Sequence, residues 1–129
     1  MLYRLLPLLL LTFLCTCAPA PEKATAQETL PAYEDITPAE FAEKIGDPNT
    51  VLLDVRTPGE TANGIIPGAI EMNYRAPDFA EQIKQLDPTK TYLVYCAAGS
   101  RSGKTCGMLN DAGFAKVYNL KGGYSAWNP

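Results

Sequence analysis

The chain has 129 residues, a formal net charge of −3, four cysteines and no histidine. That length holds one domain plus a leader. The absence of a basic block argues against nucleic-acid binding, and the absence of histidine excludes Ser-His and Cys-His nucleophile pairs unless a partner chain supplies the imidazole, and removes the commonest metal ligand.

Met1-Leu2-Tyr3-Arg4 carries one positive charge and runs into the apolar stretch from Leu5 to Leu14. The stretch is too short to cross a bilayer as a helix and has the length of a signal-peptide core. Two processing sites compete. Leu14-Cys15-Thr16-Cys17 resembles a bacterial lipobox, with Cys17 the lipidated first residue and Thr16 a looser fit than the usual small residue. Cleavage after Ala24-Thr25-Ala26 is the alternative, although that site lies far from the apolar run. The lipobox reading is the better fit. It makes 1–17 a signal peptide, 18–31 a flexible Ala-, Pro- and Thr-rich tether, and 32–129 the folded domain. The expected location is the bacterial cell envelope, exported and held to a membrane by the lipid. In that oxidising compartment a free thiol needs a partner that keeps it reduced, or a sulfur loaded onto it.

The domain opens with a strand at Tyr33 to Ile36. Thr37-Pro38-Ala39-Glu40 then supplies an N-cap, a first-turn proline and a capping-box glutamate, and Phe41 and Ile45 repeat at helical spacing. Gly46-Asp47-Pro48-Asn49 ends that helix. Val51 to Val55 is a continuous apolar strand of the buried parallel type. A Pro67-Gly68 turn leads to a short strand from Ala69 to Met72. Phe79, Ile83 and Leu86 mark an amphipathic helix. Tyr92 to Tyr95 is the next strand, Arg101 to Ala112 a helix closed by Gly113, and Lys116 to Leu120 the last strand. Alternating strands and helices predict an α/β fold, a three-layer sandwich with a mainly parallel central sheet flanked by helices. Ligands of such sheets gather beyond the carboxyl ends of the strands, where Asp54-Val55-Arg56 and Cys96 both fall.

Cys96 sits where a strand feeds a helix start, a position whose amides favour an anion and hence the reactive thiolate. Four residues separate Cys96 from Arg101. From Leu52 onward the chain resembles the rhodanese homology domain. The resemblance rests on Leu53-Asp54-Val55-Arg56, Glu60, Gly64-Ile65-Ile66-Pro67-Gly68-Ala69-Ile70, Cys96-x-x-Gly99-x-Arg101-Ser102, Val117-Tyr118-Asn119-Leu120 and Gly122-Gly123-Tyr124-Ser125-Ala126-Trp127.

This resemblance implies a sulfurtransferase of the thiosulfate type, working by covalent two-step catalysis. Cys96 takes a sulfane sulfur as a persulfide and passes it to a thiol, cyanide or a protein thiol. The backbone of Ala97, Ala98, Gly99, Ser100, Arg101 and Ser102 forms a substrate-binding nest, and Gly99 permits its tight path. Arg101 is assigned to catalysis by lowering the Cys96 pKa, holding the loop or steering an anionic donor. Asp54, Arg56 and Glu60 support the loop, Asp54 as an acceptor and Arg56 and Glu60 as an ion pair. No metal, no cofactor and no nucleic acid is implied, and the expected state is a monomer.

Related phosphatases and arsenate reductases use a longer Cys-x5-Arg loop, so the shorter loop favours sulfur over an oxyanion. The rival of a different class is a non-catalytic sulfur carrier or redox-responsive binding module using the same thiol. Two departures stand out: Ile65 occupies a position where relatives often carry histidine, and Pro129 follows closely on Trp127, where many continue. Cys106 reads as a small buried hydrophobe, with a resolving role toward Cys96 as the sharper alternative. Tyr118, Tyr124 and Trp127 read as packing residues.

Overall fold

The computed structural model describes residues 32–128. The signal-peptide, lipobox, Cys17 and tether expectations lie outside the described residues. The elements in order are β1 (Glu34–Ile36), α1 (Pro38–Lys44), β2 (Thr50–Asp54), α2 (Pro58–Thr61), β3 (Ile70–Glu71), α3 (Phe79–Lys84), β4 (Thr91–Tyr95), α4 (Ser100–Asp111), β5 (Val117–Leu120) and α5 (Gly123–Ala126). The sheet order is β1-β5-β4-β2-β3, and every neighbouring pair is parallel. Parallel neighbours need crossover connections, so helices must cover both faces.

Period-2 alternation sorts the two faces. Leu53, Val55, Tyr92, Val94 and Cys96 pack with Phe79, Ile83, Cys106 and Leu109 beneath α3 and α4. Leu52, Leu93 and Tyr95 pack with Phe41, Ile66 and Leu120 on the opposite side, joined by Tyr124 and Trp127. The expected three-layer sandwich is the observed one.

Local signals act as the chemistry requires. The Thr37 hydroxyl accepts the Glu40 N–H, and the Glu40 carboxylate accepts the Thr37 N–H at 2.8 Å. At the end of α4, Gly113 takes φ 96°. Its N–H donates to Asn110 O and that of Phe114 to Leu109 O, both at 3.0 Å, a Schellman closure.

Two expectations change. β3 covers only Ile70–Glu71, not Ala69 to Met72, because this edge strand pairs with β2 alone and the chain turns at Asn73. Two one-turn helices, α2 and α5, occupy stretches to which the sequence pattern assigned no element. Four residues are too few to show a helical period. The C-terminal ends of β2 and β4 lie side by side. That places Asp54, Arg56 and Cys96 at one edge of the sheet.

Candidate active site

Cys96 leaves β4 in the direction of Tyr92 and Val94, toward α4, and is 1% exposed. The chain then turns through Gly99, whose φ of 102° is left-handed, into the start of α4. That turn brings donors onto the sulfur. Cys96 Sγ accepts the Gly99 N–H at 3.1 Å and the Ser102 hydroxyl at 3.3 Å. Burial opposes the thiolate, but hydrogen bonds from the Ser102 hydroxyl and from the Ser102, Ala98 and Gly99 amides outweigh it. The Cys96 pKa is lowered on balance. Of the predicted nest, Ala98, Gly99 and Ser102 supply donors, Ser100 opens α4 at the exposed rim, and Ala97 contributes a carbonyl instead.

The loop is held from outside by its carbonyls. Cys96 O accepts the Tyr124 N–H at 2.7 Å, and Ala97 O accepts both the N–H and the hydroxyl of Ser125, at 3.0 and 2.8 Å. Gly99 O accepts the Gly103 N–H at 3.0 Å and Asn119 Nδ2 at 3.2 Å. Turning carbonyls outward leaves amides free to face the sulfur. Gly123 makes the close approach possible: a Cβ there would lie 2.6 Å from Cys96 O, Ala97 C and Ala98 N.

The ion pairing differs from the sequence expectation. Arg56 does not pair with Glu60. Its guanidinium grips Asp54 through Nε and Nη2, with Nη2 2.7 Å from Oδ2, and Nη2 also donates to Gly64 O at 2.7 Å. It lies over the Tyr124 ring, 4.0 Å from its centroid. Asp54 is 0% and Arg56 5% exposed. The expected pair rested on the four-residue separation of Arg56 and Glu60, but Arg56 precedes Thr57, the N-cap of α2, and so lies outside that helix. Its side chain therefore turns inward to the strand residue two before it.

Glu60 serves Arg101 instead. Arg101 Nη1 and Nη2 donate to Glu60 Oε2 and Oε1 at 2.8 and 2.7 Å, a bidentate bridge from α4 to α2. The same carboxylate accepts the Thr57 N–H and hydroxyl at 2.9 and 2.8 Å. The Arg101 guanidinium, then the Thr57 amide, holds the Glu60 carboxyl well below the usual carboxylate range. Glu60 raises the Arg101 pKa first, and the nearby Cys96 sulfur adds to it. Arg101 is thus near the sulfur, with its fork committed to Glu60.

Cys106 is fully buried, a free thiol pushed upward by burial and then by the Asp35 charge. That is the packing role expected of it. Reading the sequence did not assign site roles to Asn119, Gly123, Tyr124 or Ser125. The consecutive glycines before Tyr124 were the available signal, since a glycine pair at the turn from a strand into a helix permits close backbone approach.

Comparison with known proteins places this site in context. The profile of the Rhodanese-like domain family matches residues 37–129. The putative sulfurtransferase YtwF of Bacillus subtilis is 39% identical over 95 residues, covering 73% of this chain and 89% of that protein. A sulfurtransferase of Allochromatium vinosum is 32% identical over 94 residues, covering 72% and 86%. A crystal structure of a rhodanese-like domain protein from Staphylococcus aureus superposes with a TM-score of 0.65 at 30% identity, covering 74% of this chain and 91% of that one. The tRNA uridine(34) hydroxylase of Agrobacterium fabrum also matches, and there the aligned region is 29% of the protein.

Proposed function

The chain belongs to the rhodanese-like domain family, and from that membership we propose a sulfurtransferase that carries sulfane sulfur as a persulfide on Cys96. The observation that carries this reading is the cradle itself, a cysteine sulfur that receives the Gly99 N–H and the Ser102 hydroxyl at the junction of β4 and α4. Sulfurtransferase-named relatives that align over most of their own length support the class of reaction.

With thiosulfate as donor, the Cys96 thiolate attacks the outer sulfur. The S–S bond of thiosulfate breaks, sulfite leaves with the bonding pair, and Cys96 holds a persulfide anion. An acceptor nucleophile, cyanide or a thiolate, then attacks the terminal sulfur. The new S–S bond breaks and Cys96 Sγ takes the pair as the thiolate. Negative charge stays within the cradle through both steps, where amides already aimed inward need no reorganisation. The loop closes around a single sulfur, and the Arg101–Glu60 bridge holds its helical side.

The test is turnover. The full chain with thiosulfate and cyanide should release thiocyanate. Cys96→Ser should release none and Cys106→Ala should match the parent. Sulfur held at Cys96 without thiocyanate would favour the non-catalytic carrier. No sulfur uptake by folded protein from any sulfane donor would remove both.

The N-terminal leader supports a second element of this proposal, an envelope protein lipidated at Cys17. Labelled palmitate should appear at Cys17. A mature soluble protein beginning at Gln27 would contradict it.

A further inference from the structure

The register of the sheet sets Asn119 between Val94 on β4 and Asp35 on β1, beneath the start of α4. Asn119 is 5% exposed at a strand position flanked in sequence by apolar neighbours. Its Nδ2 points at two acceptors, Asp35 Oδ1 at 2.7 Å and Gly99 O at 3.2 Å. Those acceptors fix the amide orientation, because the flipped amide would set oxygen against oxygen. Oδ1 is left buried without a hydrogen-bond partner among the described residues. A buried amide with an orphaned oxygen costs stability that an apolar residue would not. Neither acceptor needs Asn119: Asp35 is exposed and Gly99 O already accepts the Gly103 N–H. Burial alone therefore gives no account of this side chain.

The loop does. Gly99 gives the cradle its left-handed path but, as a glycine, supplies no stiffness of its own. Tyr124 and Ser125 hold the cradle from the Cys96 and Ala97 side. Asn119 holds it from the other, at the residue whose N–H donates to the sulfur. We propose that Asn119, anchored by the Asp35 carboxylate, is a positioning residue that fixes Gly99 so that its N–H stays aimed at Cys96 Sγ. This inference rests on Cys96 as the reacting sulfur. It adds a tie from strands β1 and β5 to a site otherwise built on α2, β4, α4 and α5.

The charged groups around the sulfur are Arg101 on α4 and, across from it, Glu60 on α2; Asp35 faces the buried Cys106 from β1. Those charges decide the sign of the test. Losing the Asp35 charge alone favours thiolates nearby and lowers a thiol pKa. Losing the anchor loosens the cradle and raises it.

The experiment follows carbamidomethylation of the Cys96 peptide by mass spectrometry against pH, using the full chain. Asn119→Leu should raise the half-point by about one pH unit, about a tenfold loss of thiolate near neutrality, with a melting temperature no lower than the parent's. Asp35→Ala should raise it by a smaller amount, and Asp35→Asn, which keeps an acceptor and removes the charge, should restore it. An unchanged half-point in folded Asn119→Leu would overturn the proposal. So would a fall in Asp35→Ala, which also decides the matter should Asn119→Leu fail to fold. A Cys96 that takes up no sulfur would defeat the functional reading and leave this profile interpretable.

Discussion

Two arginine–carboxylate pairs sit near one edge of the sheet, both with a closest N–O distance of 2.7 Å, and they do different work. Arg56–Asp54 is buried, with side chains 5% and 0% exposed, and links residues two apart at the end of β2. Arg101–Glu60 is half-buried at 19% and 33%, and links helices 41 residues apart in sequence. The first also reaches Gly64 O and the Tyr124 ring, so it ties the strand end to the loop that follows α2 and to α5. The second joins the helix that carries the cradle to the short helix facing it. Similar geometry thus braces the strand end in one place and the helix that carries the cradle in the other, and burial separates the two.

The largest expected effect tests the buried pair. Asp54→Ala strands the Arg56 guanidinium in the interior and should cost about 3–5 kcal/mol in urea unfolding. A loss below about 1 kcal/mol would place the pair with ordinary surface bridges. The reverse pattern is expected at the other pair. Glu60→Gln should cost at most about 1 kcal/mol of stability, yet slow sulfur transfer by about tenfold by freeing the helical side of the loop. Equal loss of both in the two variants would erase the distinction.

Acid titration sharpens it. Glu60 has a depressed pKa in the fold, so its contribution is fully present above its unfolded value, about 4.3, and is lost as pH falls toward the folded value. Unfolding free energy between about pH 5 and pH 3 should fall less steeply in Glu60→Gln than in the parent. An identical slope would show that the bridge adds nothing to the folded state. The smallest effect concerns Cys106→Ala, which should lose about 1 kcal/mol from packing and keep full thiocyanate production. A large drop in turnover would give that thiol a part in the chemistry.

The sequence made the sheet legible because buried parallel strands are short apolar runs, such as Val51 to Val55 and Tyr92 to Tyr95. Cys96, Gly99 and Ser102 were legible for a related reason: a cysteine, a turn residue and a hydroxyl donor lie within one loop. Partners across the fold were not. The exchange of partners among Asp54, Arg56, Glu60 and Arg101 depends on where α2 begins, and a helix of one turn leaves no period to read. Asn119 and Ser125 reach the loop only through sheet register and the corner between β5 and α5, and no local spacing records either contact.

The central claim is that Cys96, whose pKa its amide and hydroxyl donors lower, is the residue that takes the sulfur. Peptide mass spectrometry of the full chain after thiosulfate treatment tests it most directly. The account predicts a gain of about 32 Da on the Cys96 peptide, formed below the ordinary thiol pKa of about 8.5 and removed by cyanide. Sulfur on Cys106 with none on Cys96, or an unmodified Cys96 in folded protein, would contradict it.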